Sequence, residues 1–288
     1  MKKILFALLF TLTALSVSAV SLQQMRFHCE KDTIEINELL EKGAQASLKT
    51  PNQLVAFYAQ QLLGRPYVAH TLEGDVEKLT INIDQLDCTT FVETLYALAR
   101  TTLNGRQSWR DYADALQNLR YRNGELGDYS SRLHYISEWI VNNRSRGNLI
   151  EVTADIPTAA YLTKTINFMS THKDSYTSLK DDSAMVARIR NFESGYHNHR
   201  MPYIKKQWLA RKDVKNALKS GDFVGLVTKI EGLDISHLGI VYKDDNGEVY
   251  LLDASMSGGK VMLETKNMCD MLRNNKGNLG LRVFRIMP

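Results

Sequence analysis

Strand-forming runs crowd into the last quarter of this chain, and that placement limits the folds open to it. Apolar, β-rich stretches bounded by turn residues occur at 223–228, 238–242, 249–253, 261–264 and 281–286. Upstream the apolar period is that of helices. Residues 20–50 read as an N-terminal arm with one short helix over 37–42. Thr50 then caps a helix, with Pro51 at its first position and Gln53 closing a capping box. Leu54, Tyr58 and Leu62 fall one turn apart, and Gly64 ends it. A second helix runs from Cys88 to about Leu103, with Phe91, Val92, Leu95, Leu98 and Ala99 as its buried stripe. Further helical patterns lie at 109–119, 133–142 and 156–172. Helices first and strands later predict an α+β fold, an antiparallel sheet packed against a central helix. No linker interrupts the pattern. The expectation is one domain over 20–288, with helical elaboration around 104–217.

The first nineteen residues are set apart. Lys2 and Lys3 precede an apolar run over 4–17, and Val17-Ser18-Ala19 offers small residues for cleavage. This is the pattern of a secretory signal peptide. The run is short for a membrane span, which needs about 20 residues, and no stop-transfer pattern follows. The sequence therefore predicts a periplasmic protein without a stable membrane anchor. Losing Lys2 and Lys3 takes the formal charge from +4 to +2, and no nucleic-acid recognition motif is present. The Arg- and Lys-rich stretch 188–219 reads as a solvated face or as a surface that attracts substrate carboxylates.

Three cysteines are present, Cys29, Cys88 and Cys269. In an exported protein an odd number leaves at least one thiol unpaired, or paired between chains. One arrangement is a Cys29–Cys269 bridge with Cys88 free.

Cys88 stands in Leu86-Asp87-Cys88-Thr89-Thr90-Phe91. Asp87 is a good N-cap, and Leu86 with Phe91 forms a hydrophobic staple. Cys88 then opens the helix, where free N–H groups and the dipole stabilise a thiolate and a developing oxyanion. A small buried cysteine would satisfy the same pattern. His237 opens the strand Ile235-Ser236-His237-Leu238-Gly239-Ile240-Val241. It is the natural base for such a thiol. Its tautomer needs a third group. A three-residue loop Asp245-Asn246-Gly247 pairs Asp244 with Glu248, which sets Gly239 opposite Asp253 and His237 opposite Ser255. His237 and Asp253 are then diagonal neighbours on one face. A two-residue loop would send Asp253 to the other face. Asp253 is the expected orienting group and Ser255 the alternative.

Taken in order, these motifs resemble the NlpC-like branch of papain-fold cysteine peptidases. That family carries a D-C-x-x-F helix start, an H-x-G-I strand and a polar residue on the next strand. Here these read Asp87-Cys88-Thr89-Thr90-Phe91, His237-Leu238-Gly239-Ile240 and Asp253-Ala254-Ser255. Leu63-Gly64-Arg65-Pro66-Tyr67 looks like the family's G-x-P-Y stretch, which places Tyr67 beside the nucleophile. Several segments are similar to one subgroup, the N-acetylmuramoyl-L-alanine amidase-like proteins. They are Tyr67-Val68-Ala69-His70-Thr71-Leu72-Glu73, Cys88 to Glu93, Arg132-Leu133-His134-Tyr135 and Gly232 to His237. The third catalytic residue is often histidine in the wider family, so Asp253 departs from that version.

The resemblance implies a papain-like core and hydrolysis of the amide between the N-acetylmuramoyl lactyl group and L-alanine in small muropeptides, including 1,6-anhydro forms. The wider family mostly cuts between γ-D-glutamate and a diamino acid. Catalysis then falls to Cys88, His237 and Asp253. Substrate contacts fall to Tyr67, Thr71, Glu73, Arg132, His134 and Ser236, and to Tyr203, an aromatic at a turn that can stack on a sugar or cover the core. No metal or organic cofactor is required. A zinc amidase would need neutral His ligands with a carboxylate; an H-E-x-x-H helix, which would be strong evidence for one, is absent from the sequence, and His197 with His199 reads as a polar loop. A non-catalytic wall-binding module is the other class of reading.

Overall fold

The computed structural model describes residues 20–287. The expected signal peptide, 1–19, lies outside them. The arm begins with strand β1 (Met25–Phe27) and helix α1 (Asp32–Gln45), longer than the expected 37–42. Helix α2 (Pro51–Gln61) follows, with the Thr50–Gln53 capping box formed on both sides. Strand β2 (Leu79–Ile81) pairs in parallel with β1. Helix α3 (Cys88–Leu103) is the centre of the molecule, and eleven of its residues are buried. It packs against α1, α2 and α4 (Trp109–Arg120). Between α3 and α4 the buried Glu93 accepts from Arg120 Nε at 2.7 Å, and Arg120 Nη1 donates to the Thr80 carbonyl.

Helix α5 (Ile136–Ser145) starts three residues later than the pattern at 133–142 predicts. The next segment corrects the sequence reading more strongly. Strand β3 (Leu149–Glu151) precedes it, and in place of a helix over 156–172 stand strand β4 (Ala160–Lys164) and a one-turn helix α6 (Phe168–Thr171). Thr158 has a φ of 69°, which no helix accommodates. Burial along β4 alternates with period two. Short α7 (Thr177–Lys180) and α8 (Ser183–Ser194) lead to β5 (His199–Lys205), which pairs with β4 despite Pro202. The span 104–217 is therefore mixed, and its strands extend the sheet.

After α9 (Lys212–Ala217) come β6 (Phe223–Thr228), β7 (Ile235–Lys243), β8 (Val249–Ser255), β9 (Lys260–Asn267), α10 (Met268–Arg273) and β10 (Asn278–Ile286). They build an eight-stranded sheet in the order β4-β5-β10-β6-β7-β8-β9, with β3 beside the far end of β10. Every pairing within it is antiparallel. Leu238, Ile240, Leu252 and Ala254 join the core of α3, while Val241, Val249 and Leu251 join a second core with Val214, Met268 and Leu272. That alternation is the period of a strand covered on both faces. The result is an α+β fold with α3 against the antiparallel sheet. Among the described residues no helix is long and apolar enough to cross a membrane.

Candidate active site

The start of α3 is fixed by a reciprocal cap. Asp87 Oδ1 accepts from the Thr90 N–H at 2.8 Å, and Thr90 Oγ1 accepts from the Asp87 N–H at 2.8 Å. Leu86 and Phe91 are fully buried on either side. The cap fixes Cys88 at the first helical position, half-buried. A strut joins this point to the sheet. The Gly64 N–H donates to Val261 and the Tyr67 N–H to Gly259, both at 2.9 Å, while the Val261 N–H donates to Arg65. On its other side the Leu86 N–H donates to Pro66 and the Val68 N–H to Leu86. Residues 64–68 thus bridge the edge strand β9 and the residue before the cap. Burial pushes the Tyr67 phenol above its ordinary pKa, and the neighbouring Cys88 and Asp87 add to the shift. That coupling places the Tyr67 phenol near Cys88.

His237 and Asp253 come from the β7–β8 hairpin. The Asp244 N–H donates to Glu248 at 3.0 Å, and Gly247 takes a φ of 78°, so the loop is the three-residue one. The register Ile240↔Leu252 puts Gly239 opposite Asp253. His237 Nε2 hydrogen-bonds Asp253 Oδ2. Cys88 lies near enough to the same imidazole to bear on its charge. Burial opposes charge on His237, but the Asp253 hydrogen bond and then Cys88 outweigh it and push the pKa up to about 10. That shift favours the protonated ring at neutral pH. Ser255 is engaged elsewhere: its hydroxyl donates to Glu264 Oε1 at 3.0 Å and accepts from the Gly258 N–H.

A β-bulge precedes His237. Leu226 pairs with His237 but Val227 pairs with Ile235, so Ser236 is an extra residue in β7. A bulge bends its strand and re-aims the next side chain. The sequence carries no signal for it.

Residues 58–280 match the N-acetylmuramoyl-L-alanine amidase-like family. The chain belongs to that family. Among solved structures it is similar to a crystal structure described as a N-acetylmuramoyl-L-alanine amidase from Bacteroides uniformis. The TM-score there is 0.76 at 33% identity, over 83% of this chain and 99% of that one. It is similar also to a putative xylanase from Bacteroides fragilis, with TM-score 0.72 and 37% identity over 80% of this chain and 99% of that one. A protein from Legionella pneumophila, at TM-score 0.67 and 21% identity over 89% and 97% of the two chains, shares the fold. No curated protein sequence matches significantly.

In this amidase-like chain the remaining expected site residues take diverse positions. Arg26 Nη1 and Nη2 hold the Glu73 and Thr71 carbonyls at 2.9 and 3.1 Å. Among the described residues the buried Thr71 hydroxyl has no partner. Arg132 is buried, with Nη1 on Glu73 Oε1 at 2.9 Å and Nη2 on Glu77 Oε2 at 2.6 Å. Its charge is thereby neutralised, so it braces the 71–77 loop and is not free to receive a substrate carboxylate. Glu73, Glu77 and Tyr129 line a cleft of about 700 Å³. His134 donates from Nε2 to the Tyr129 carbonyl at 2.8 Å and packs on the Tyr129 ring. Burial pushes its pKa down to about 3, with Arg132 adding. Tyr203 is 8% exposed in the main core. Its strand β5 lies three strands from β7, about 14 Å away at the usual spacing. Ser236 is exposed and donates to Asn278 Oδ1 at 3.1 Å, on the side of β10.

The Cys29–Cys269 pairing is not formed, and among the described residues all three cysteines are free. Cys29 Sγ lies 3.6 Å from Asp84 Oδ2, and Cys269 Sγ accepts from Arg273. Cys29, Asp32 and Asp84 bring potential metal-ligand atoms within 4.8 Å of one another. Asp32 already accepts from the Cys29 N–H, and Asp84 from Arg65, which accounts for both carboxylates. Among the described residues His197 and His199 join no such group.

Proposed function

We propose that this protein is an exported cysteine amidase that hydrolyses the N-acetylmuramoyl–L-alanine bond of peptidoglycan fragments, 1,6-anhydro muropeptides among them. One observation carries the reading: His237 hydrogen-bonds Asp253 and lies near enough to Cys88 for the sulfur to bear on its charge. A papain-like, NlpC-like arrangement is part of the proposal, with the thiol at a helix start and the imidazole on the sheet. The family and its Bacteroides uniformis member supply the bond.

The mechanism is two-step acyl transfer. The Cys88 thiolate attacks the lactyl carbonyl, and the Cys88 N–H, free of an intrahelical partner at this position, faces the oxyanion. His237 gives its proton to the departing L-alanine amine, leaving a thioester. The neutral imidazole then takes a proton from water, which attacks the thioester and releases the acid and the thiolate. Asp253 holds the ring and stabilises its charge throughout. Tyr67, beside the sulfur, contacts the bound substrate.

A xylanase would need two carboxyl groups flanking a glycosidic bond. A thiol, an imidazole and one buried carboxylate suit acyl transfer instead. The test is product analysis of purified muropeptides by mass spectrometry, with Cys88→Ala beside the wild type. A free stem peptide beginning with L-alanine, absent with Cys88→Ala, supports the proposal. A muramoyl dipeptide product identifies a γ-D-glutamyl endopeptidase, and no product at all from the wild type identifies a wall-binding module.

A further inference from the structure

The residue facing Asp253 across the β7–β8 ladder is Gly239. A β-carbon built on it would lie 2.8 Å from Leu251 Cδ1, 2.9 Å from the Leu252 carbonyl oxygen and 3.0 Å from the Asp253 β-carbon. Carbon atoms in contact settle at about 3.5–4.0 Å. Gly239 lies within regular strand, so space and not backbone conformation excludes a side chain there. One of the three atoms met is backbone, which cannot swing aside. Asp253 has little else to hold it. It is 2% exposed, and among the described residues its Oδ1 has no partner.

We propose that Gly239 is a positioning residue: its missing side chain lets β8 approach β7 closely enough for the Asp253 carboxylate to reach His237. This rests on the reading of Cys88, His237 and Asp253 as the catalytic group. The ionisable groups that bear on the imidazole are Asp253 from β8, which hydrogen-bonds it, and Cys88 from α3, which lies near it, with the Tyr67 phenol close enough to Cys88 to feel its charge. A methyl group at position 239 therefore pushes away one of the two partners that stabilise the imidazolium, and leaves the other in place.

The test is the His237 titration, followed by NMR of isotope-labelled imidazole, in the wild type, Gly239→Ala and Gly225→Ala. Gly225 is the matched control: on β6, its added β-carbon would meet the Ile235 side chain at 3.2 Å and not Asp253. In Gly239→Ala the titration should fall by at least about one pH unit. The kcat should drop about tenfold or more with little change in KM. Gly225→Ala should leave the titration where it is. If Gly239→Ala fails to fold, Leu251→Val, which removes the Cδ1 contact, provides the background for the same comparison. A folded Gly239 variant with the wild-type titration overturns the proposal. Full turnover by Cys88→Ala, with the Gly239→Ala shift still present, would sink the catalytic reading and leave the positioning role standing.

Discussion

Asp244 and Glu248, which close the β7–β8 hairpin through the Asp244 N–H, fix the face on which Asp253 falls. Their pairing makes a three-residue loop and sets Gly239, two residues from His237, opposite Asp253. Asp253→Asn keeps the shape and removes the charge behind the imidazole. It should lower kcat by up to about 10⁴-fold, the loss seen when the orienting carboxylate of a triad is neutralised. Steady-state kinetics on a muropeptide substrate measures it, and a loss under about threefold would argue against Asp253 as the orienting group.

His237 ties stability and activity to alkaline pH. Folding raises its pKa from 6.5 to about 10, so the folded state holds this proton more tightly than the unfolded chain. The stability so contributed is whole below about pH 6.5 and lost as pH rises through about 10. Activity that needs the imidazolium should fall over the same alkaline limb. Denaturant unfolding and pH–rate profiles between pH 6 and 11 check both. His237→Gln should flatten the stability slope.

His134 acts in the opposite sense. Its folded pKa is pushed down to about 3 while the unfolded chain takes up the proton near 6.5. Stability should therefore fall as pH drops from about 6.5 towards 3, because the unfolded state binds the extra proton. His134→Gln should remove part of that acid slope, as read by thermal unfolding at pH 7 and pH 4.

Arg132 is the brace of the 71–77 loop. Arg132→Met leaves Glu77, whose side chain is 4% exposed, without its cation. Breaking a buried pair from one side costs about 3–5 kcal/mol, read as a lower midpoint in denaturant. A variant that loses substrate affinity with unchanged stability would instead make Arg132 a substrate contact.

The cysteines give a chemical count. Denatured, unreduced protein should show three reactive thiols, since Cys29, Cys88 and Cys269 are all free. A count of one would restore the Cys29–Cys269 bridge.

Local signals made much of the site legible. The helix from Cys88 to Leu103 is marked by a cap, a staple and an apolar stripe, all within a few residues of one another. The hairpin register follows from the loop and from the two-residue period of a strand. Features that depend on distant partners were not legible. The Ser236 bulge is set by how β6 meets β7. Arg132 looked free because Glu73 and Glu77 lie more than fifty residues away. Strand β4 was hidden because the pattern over 156–172 also fits a helix, and the left-handed turn at Thr158 has no glycine or asparagine to mark it. Pro202 hid β5 in the same way, since proline argues against a strand unless the partner geometry is known.

A covalent bond between Cys88 and substrate is the central step of the proposed mechanism. Acid quench of the enzyme during turnover, followed by peptide mapping, reads it. The expected result is a muramoyl acyl adduct on the peptide containing Cys88, absent from Cys88→Ala. Undiminished turnover by Cys88→Ala, with no adduct anywhere on the wild-type chain, would contradict it.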